Sequence, residues 1–189
     1  MSSINFTSSH IRQVEIMKKQ KSGNGYAPCS VNLVELNPTD KADSYAVKKI
    51  TGNWTCSLTT FINADIKDIK RGELNPAGIH IYALTEQNNE YEKLKPSKIL
   101  GMIEISEGFK DGNKIEILQT NPKYISGLGN RTPQYKHIGH GLIKSIKDIF
   151  AKTNLFVYPT KDAINFYKKE KFIPQNIFNV YNLMKFTGK

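Results

Sequence analysis

The residues with the clearest chemical potential lie between Tyr135 and Ile143, where the chain reads Tyr-Lys-His-Ile-Gly-His-Gly-Leu-Ile. Gly139 and Gly141 stand at the start of an amphipathic helical pattern, downstream of an apolar strand pattern. Glycine lets the backbone approach a ligand closely because it carries no Cβ. The first turn of a helix leaves N–H groups unpaired and carries partial positive charge. The segment therefore predicts a site for a phosphate or pyrophosphate group.

Length and composition limit what surrounds this site. The 189 residues suffice for one core of ordinary size. No run approaches the roughly 18 apolar residues of a membrane span, and the first ten residues lack the apolar stretch of a secretory signal. Cys29 and Cys56 form no disulfide framework or metal-ligand spacing. We therefore expect a cytoplasmic protein without a membrane segment or a metal, although the Ser/Thr-rich N-terminus leaves an export tag open.

The charge balance is strongly positive. Lys and Arg number 27 against 17 Asp and Glu, for a net charge of +10. This excess is explained either by a solvated basic surface or by an anionic cofactor or acidic substrate. The three arginines, Arg12, Arg71 and Arg131, are few for sequence-specific DNA recognition, which leans on arginine.

Hydrophobic periodicity predicts a mixed α/β domain behind a polar extension. Residues 1–26 form the extension, in which Ile11, Val14 and Met17 have the spacing of a short helix before a solvated linker. Residues 27–189 form the domain. Its predicted strands are 31–36, 79–84, 98–105, 114–119, 154–158 and 180–186, and its predicted helices are 42–50, 58–69, 139–152 and 161–171.

Local signals refine this reading. Thr39 is expected to cap the first helix and Thr55 or Ser57 the second, which ends at Gly72. Residues 110–113 suit a hairpin turn within a three-stranded antiparallel meander. The strand–helix–strand crossover around the glycine segment predicts that strands 114–119 and 154–158 run parallel.

This order of elements, with Lys136-x-x-Gly139-x-Gly141 after the meander, resembles the GCN5-related N-acetyltransferase (GNAT) superfamily. Ala163-x-x-Phe166-Tyr167 through Phe172 and Asn121-Pro122-x-Tyr124 resemble two further motifs of that family. The resemblance covers roughly residues 27 to 187. It implies a mostly antiparallel sheet with a central splayed parallel pair, flanked by helices, and acetyl-CoA bound in the gap of that pair, between 115–119 and 155–158.

The resemblance also implies a set of cofactor-binding residues. Backbone amides around Ile138, Gly139, His140, Gly141 and Leu142 would take the pyrophosphate, with Gly141 avoiding a Cβ clash. Lys136 stands where the family has Gln or Arg, so it would offer charge, or it is one solvated lysine among many; His137 and His140 lie in or beside the loop. A strand bulge around Leu118 and Gln119 would supply an N–H to the oxyanion, and Thr160 stands where the family commonly has Asn.

Two side chains are the expected catalytic groups. Tyr167 matches the family's general acid, which protonates the departing thiolate, although it also suits a packed position on a helix stripe. Glu116 lies on the strand where many members carry a catalytic carboxylate, although it also suits a surface position. Glu104 and ordered water remain alternative bases.

The resemblance implies an acetyl-CoA-dependent N-acetyltransferase in which a primary amine attacks directly in a ternary complex. The acceptor is a small molecule, a protein amine or an aminoacyl-tRNA, and a homodimer is possible. Aromatic residues that would line its site are Tyr45, Trp54, Phe61, Phe178 and Tyr181. The long connection 125–134 either folds over the cofactor, shapes the acceptor pocket or is a mobile surface excursion. The alternative is a catalytically silent protein of this fold that binds acyl-CoA, a protein partner or nucleic acid.

Overall fold

The computed structural model describes residues 8–21, 25–54, 58–125, 132–175 and 182–188. Within these ranges the strands are β1 Ser9–Lys19, β2 Tyr26–Leu36, β3 Ile79–Thr85, β4 Ile99–Phe109, β5 Gly112–Thr120, β6 Tyr135–Lys136, β7 Asn154–Val157, β8 Ile173–Pro174 and β9 Met184–Phe186. The α-helices are α1 Lys41–Asn53, α2 Thr59–Arg71, α3 Ile138–Ile149 and α4 Ile164–Lys169. The predicted alternation of strands and helices is confirmed from residue 26 to residue 169.

The described strands form a single sheet in the order β6-β1-β2-β3-β4-β5-β7-β9-β8. Strands β3, β4 and β5 pair antiparallel, which confirms the meander, and Phe109 pairs with Gly112 across the predicted hairpin turn. Strands β5 and β7 pair parallel, as the crossover requires. The fold class expected from the sequence is therefore confirmed.

The N-terminal segment is a strand, and the prediction of a short helix there was wrong. Residues 9–19 pair antiparallel with β2, and Met17 pairs with Lys136 of β6. Val14 and Ile16 are buried, which is the period of a strand. The edge of β2 supplies backbone hydrogen-bond partners to this segment, and this pairing makes it a strand and not a helix. Much of the polar extension 1–26 thus belongs to the sheet.

Helix boundaries follow local chemistry with small shifts. Asp40, not Thr39, caps α1, because its carboxylate accepts hydrogen bonds from the N–H groups of Ala42 and Asp43. Gly72 ends α2 in the left-handed conformation at φ 75°, as predicted. The proposed caps Thr55 and Ser57 lie outside the described residues.

The helices cover the two faces of the sheet and divide the core into two parts. Helices α1 and α2 pack their apolar faces on β2 to β5, with Val47, Ile62 and Met102 buried between them. Helix α3 packs Leu142, Ile143 and Ile146 on the opposite face. In the described part of the chain, no helix has the length and apolarity to cross a membrane.

Candidate functional site

Strands β5 and β7 separate part of the way along their length. Their parallel pairing runs from Gly112 with Asn154 to Ile115 with Val157, where β7 ends. Strand β5 continues to Thr120 while pairing with β4 on its other side. The β7-facing edge of β5 beyond Ile115 therefore has no strand partner among the described residues. Exposed edge groups of this kind can bind an extended ligand as an added strand.

A cavity of about 1040 Å³ lies at this open end. Its size is at the upper end of the range for cofactor sites. Its lining brings together fourteen residues that the sequence analysis placed in the site or in one of its motifs: Leu118, Gln119, Tyr124, Lys136, His137, Ile138, Gly139, His140, Thr160, Ala163, Phe166, Tyr167, Lys169 and Glu170. Five further residues, which sequence reasoning did not assign to the site, also line it: Leu58, Thr120, Ile125, Tyr135 and Asp162.

Helix α3 begins at this cavity with unpaired N–H groups. His137 precedes the helix in a left-handed conformation at φ 63°, and its side chain makes no capping hydrogen bond. The first intrahelical hydrogen bond is donated by Gly141 to the carbonyl of His137, at 2.8 Å. The N–H groups of Ile138, Gly139 and His140 are thus the ones that a helix leaves for an anionic ligand.

The two glycines of the segment face opposite ways. A Cβ on Gly139 would lie 3.4 Å from the ring of Phe166, on the cavity side. A Cβ on Gly141 would lie 3.1 Å from both Ile16 and Val14, in the core beside β1. The expectation that Gly141 prevents a clash with pyrophosphate was therefore wrong, because a Cβ on this residue would face β1 and not the cavity.

Leu142 also points away from the cavity. Its side chain is fully buried in the core under α3. Its N–H lies beyond the first turn, where it bonds within the helix. Neither Gly141 nor Leu142 lines the cavity, so the structure brings neither into the site.

One lysine and two histidines lie at the start of α3. Lys136 stacks its ammonium on the ring of Tyr26, with Nζ 4.0 Å from the centroid, while it also lines the cavity. His140 places Nδ1 2.7 Å from the carboxylate of the largely buried Glu170. The rings of His137 and His140 pack edge to face at 6.3 Å. A bound phosphate would draw on these groups as well as on the amides.

Tyr167 lies in the wall of the cavity, with 5% of its surface exposed. Its ring packs edge to face against Phe166 and Phe172. Burial raises the pKa of its hydroxyl well above the ordinary value, so the group keeps its proton. Thr160, which lines the same cavity, is exposed.

A β-bulge interrupts β5 at Glu116. Glu104 pairs with Ile117 and the next residue, Ile105, pairs with Ile115, so Glu116 is the extra residue. We expected the bulge at Leu118 and Gln119, but both pair in regular register with β4. Gln119 instead accepts a hydrogen bond from the N–H of Thr59 at 3.1 Å, which ties the start of α2 to the sheet. The position of the bulge follows from the pairing of β5 with β4 and could not be read from the sequence of β5 alone.

The two candidate base carboxylates differ sharply in environment. Glu116 is exposed, accepts a hydrogen bond from Ser106 at 2.6 Å and forms an ion pair with Lys114 at 2.6 Å. It does not line the cavity. Glu104 is 2% exposed, and its Oε2 atom has no hydrogen-bond partner among the described residues. Burial first, and then interaction with Asp65 and Glu116, raises the pKa of Glu104 to about 9.

The aromatic residues expected to line the acceptor site differ in burial. Trp54 is buried in the α1/α2 core, whereas Tyr45 and Phe61 are exposed. Phe178, Tyr181, Cys56 and residues 126–131 of the long connection lie outside the described residues. Within the described ranges, no group of three or more His, Cys, Asp or Glu side chains is placed to hold a metal ion.

Several lining residues had a usable signal in the sequence. Phe166 belongs to the same motif as Tyr167, and Thr120 directly follows the strand residues expected at the gap. Glu170 belongs to the same motif, but its contact with His140 has no signal in the sequence, because it crosses 30 residues of chain. Tyr135 precedes the glycine segment, but its burial depends on β1 and on the ring of Tyr124.

Comparison with known proteins gives likeness of structure alone. No protein-family model matches the sequence, and no curated protein does. A protein from Desulfovibrio desulfuricans assigned to the GNAT acetyltransferase family superposes with a TM-score of 0.50 at 12% identity, over 82% of this chain and 98% of that one.

Two further solved structures were determined with a ligand. AtaT, a toxin bound to the C-terminus of the antitoxin AtaR and to acetyl-CoA, gives a TM-score of 0.55 at 16% identity, over 82% of this chain and 92% of its own. The Bacillus subtilis N-acetyltransferase YlbP, in complex with coenzyme A, gives a TM-score of 0.50 at 11% identity, over 76% of this chain and 90% of its own.

The features that build the cavity also fit the resemblance found in the sequence. The mostly antiparallel sheet, its one described parallel pair and the helix that begins at their open end occur in the order that the GNAT resemblance implied. Together with the superpositions, this order leads to one conclusion: the chain has the GNAT fold.

Proposed function

We propose that the protein is an acetyl-CoA-dependent N-acetyltransferase that acetylates a primary amine by direct attack in a ternary complex. The observation that carries the proposal is the uncapped first turn of α3, which opens onto the cavity between the splayed strands β5 and β7. A phosphate-binding helix start beside an unpaired strand edge suits a ligand that is a diphosphate at one end and an extended amide chain at the other.

The residues present fit coenzyme A in particular. The N–H groups of Ile138, Gly139 and His140 would hold the pyrophosphate, and Gly139 leaves room for it beside Phe166. Lys136 would add charge at the rim. The pantetheine amides would pair with the β5 edge near Leu118 and Gln119. AtaT was solved with acetyl-CoA and YlbP with coenzyme A, which supports the same ligand here.

The chemistry follows from what amide formation requires. The amine must lose a proton, an oxyanion must be stabilised, and the departing thiolate must gain a proton. The bulge at Glu116 leaves ladder positions open at the point where β5 and β7 part. Its N–H would serve the oxyanion, and the Glu116 carboxylate, oriented by Ser106 and Lys114, would take the amine proton. Tyr167, which keeps its proton, would donate to sulfur.

The proposal leaves the acceptor among small molecules, protein amines and aminoacyl-tRNA. It includes a cytoplasmic enzyme, since coenzyme chemistry and the few cysteines both suit a reducing compartment. AtaT was solved with a protein partner, and a homodimer or a partner protein for this chain would be compatible with the same site.

Two measurements test the proposal. Titration calorimetry with acetyl-CoA should give binding at micromolar concentration, and desulfo-coenzyme analogues that keep the diphosphate should also bind. Release of free thiol, followed against a panel of amines, should exceed hydrolysis in the absence of amine. Binding without release in any amine would indicate a silent acyl-CoA-binding protein, and absence of binding would refute both functions.

A further inference from the structure

A histidine and a carboxylate meet in the wall of the cavity. His140 of α3 and Glu170, which directly follows α4, both line it. The Nδ1 atom of His140 lies 2.7 Å from Oε1 of Glu170. The side chain of Glu170 is 10% exposed, whereas that of His140 is 53% exposed. A largely buried carboxylate thus holds a ring that is open to the site.

Glu170 is fixed in place before any ligand binds. The ammonium group of Lys147 donates a hydrogen bond to the main-chain carbonyl of Glu170, and it lies 3.9 Å from Oε2 of the carboxylate. Lys147 is itself 15% exposed, with its ammonium over the rings of Phe172 and Phe186. A carboxylate that has left water needs partners of this kind, because burying a charge is costly.

The contact with Glu170 determines which nitrogen of His140 carries a proton. A carboxylate only accepts hydrogen bonds, so Nδ1 must donate. A neutral imidazole has a single N–H, and this contact uses it, which leaves a lone pair on Nε2. In the described part of the chain, Nε2 has no hydrogen-bond partner. An anion at Nε2 would be repelled by the lone pair, so Nε2 can bind the anion only after the ring gains a second proton.

His140 also lies at the proposed position of the diphosphate. Its N–H is one of the three that the first turn of α3 leaves unpaired. His137 is the nearest other histidine, with its ring 6.3 Å away, and the exposed Lys144 follows one turn along the helix. Of the residue types near His140, only histidine ordinarily changes charge close to neutral pH. The remaining titratable residues that line the cavity are Tyr124, Tyr135, Lys136, Asp162, Tyr167 and Lys169.

We propose that His140, held in place by Glu170, binds the diphosphate of the coenzyme through Nε2 as an imidazolium, so that binding takes up a proton. This inference rests on the proposed acetyltransferase function, which supplies the ligand. Glu170 is a positioning residue, because it reaches the ligand only through His140. Coenzyme affinity therefore falls as the pH rises through the range in which histidine loses its charge, and binding and protonation strengthen each other by the same factor.

The probe for this inference is acetyl-dephospho-coenzyme A, which keeps the diphosphate but lacks the 3′-phosphate. A terminal phosphate itself gains a proton near about pH 6, whereas a diphosphate esterified at both ends does not, and the thioester has no thiol proton. Calorimetric titrations from about pH 5.5 to about pH 9, each in two buffers of different ionisation enthalpy, count the protons taken up. We expect an uptake that approaches one proton per ligand at its maximum, and an affinity that falls at least tenfold across this range.

Variants assign the proton to one residue. His140→Gln keeps a side-chain donor but cannot take up a proton, so it should abolish the uptake and flatten the pH profile. Glu170→Gln keeps an acceptor but removes the charge beside the ring, so the fall in affinity should move to lower pH, and the affinity lost near about pH 7 should return on acidification. His80→Gln is the matched control and should leave the uptake unchanged, because Nδ1 of His80 lies 2.8 Å from Glu35 but neither residue lines the cavity.

The outcomes separate this inference from the proposed function. Binding of the probe without proton uptake, or an uptake that survives His140→Gln, would overturn the inference. Binding of acetyl-CoA but not of the probe would place the anion contact on the 3′-phosphate and overturn it as well. An equal loss of affinity at every pH in Glu170→Gln would show that Glu170 has only a structural role. The wild-type measurement needs no variant, so it stands even where Glu170→Gln fails to fold. If neither compound binds, the proposed function itself is overturned.

Discussion

Gly139 and Gly141 offer the sharpest test of the site, because replacing each one should damage a different property. A Cβ on Gly139 would point at Phe166 across the cavity, at 3.4 Å, whereas a Cβ on Gly141 would meet Ile16 and Val14 in the core, at 3.1 Å. We expect Gly139→Val to weaken acetyl-CoA binding and Gly141→Val to weaken the fold.

The magnitudes follow from these contacts. In Gly139→Val the added methyl groups occupy space beside the unpaired N–H groups, so a tenfold to hundredfold loss of affinity is expected, about 1.4 to 2.8 kcal/mol. In Gly141→Val they overpack the junction of α3 with β1, which typically costs about 1 to 3 kcal/mol. For a chain of 189 residues, that cost lowers Tm by roughly 2 to 4 °C per kcal/mol.

The assay combines calorimetric titration with acetyl-CoA and thermal unfolding of the same samples. Gly52→Val is the matched control, because Gly52 lies in helix α1 and, apart from its chain neighbours and the backbone of its own helix, no atom lies within 4 Å of its added Cβ. It should leave affinity unchanged and change stability by less than Gly141→Val does. The reasoning fails if Gly141→Val loses affinity at full stability, or if Gly139→Val loses stability and keeps full affinity.

Three further predictions concern single side chains. Tyr167→Phe should lower kcat roughly a hundredfold and leave acetyl-CoA affinity within about threefold, as judged by thiol release and calorimetry; equal rates would assign Tyr167 to packing alone. Hydrogen bonding to Glu35 raises the pKa of His80, so the stability that His80→Gln loses in urea unfolding should be largest below about pH 6.5 and fade at higher pH; a loss independent of pH would contradict this. Burial raises the pKa of Asp43 to about 6, so the folded state favours the protonated acid. Asp43→Asn should therefore raise the free energy of unfolding by about 1 to 3 kcal/mol at pH 7 but change it little at about pH 4. A variant that is less stable at pH 7 would mean that the hydrogen bond from the Asn37 N–H to the carboxylate outweighs the cost of burying that carboxylate.

Much of the architecture could be predicted because it depends on local periodicity. The meander, the hairpin at 110–113 and the parallel crossover follow from alternating apolar residues, turn residues and the handedness of crossovers, and the structure confirms them. The candidate phosphate-binding segment was recognisable for the same reason, since its glycines and its helix start are neighbours in sequence.

The N-terminal strand was missed because its pairing is not local. Ile11, Val14 and Met17 match a helical period, but the edge of β2 and the segment before α3 supply hydrogen-bond partners that make the chain extended. This strand also determines the role of Gly141, because a Cβ on Gly141 would lie against Val14 and Ile16 of β1.

The sequence by itself determined the order of strands and helices, the parallel crossover and the candidate cradle at residues 136–142, because each depends on residues that are close along the chain. Only the tertiary structure decided that Gly139 faces the cavity and Gly141 the core, that the bulge falls at Glu116, and that Glu104 is buried. Those facts depend on strand register and on contacts between distant segments. A shift of one residue reverses the face on which a strand side chain lies, and no local pattern fixes that shift.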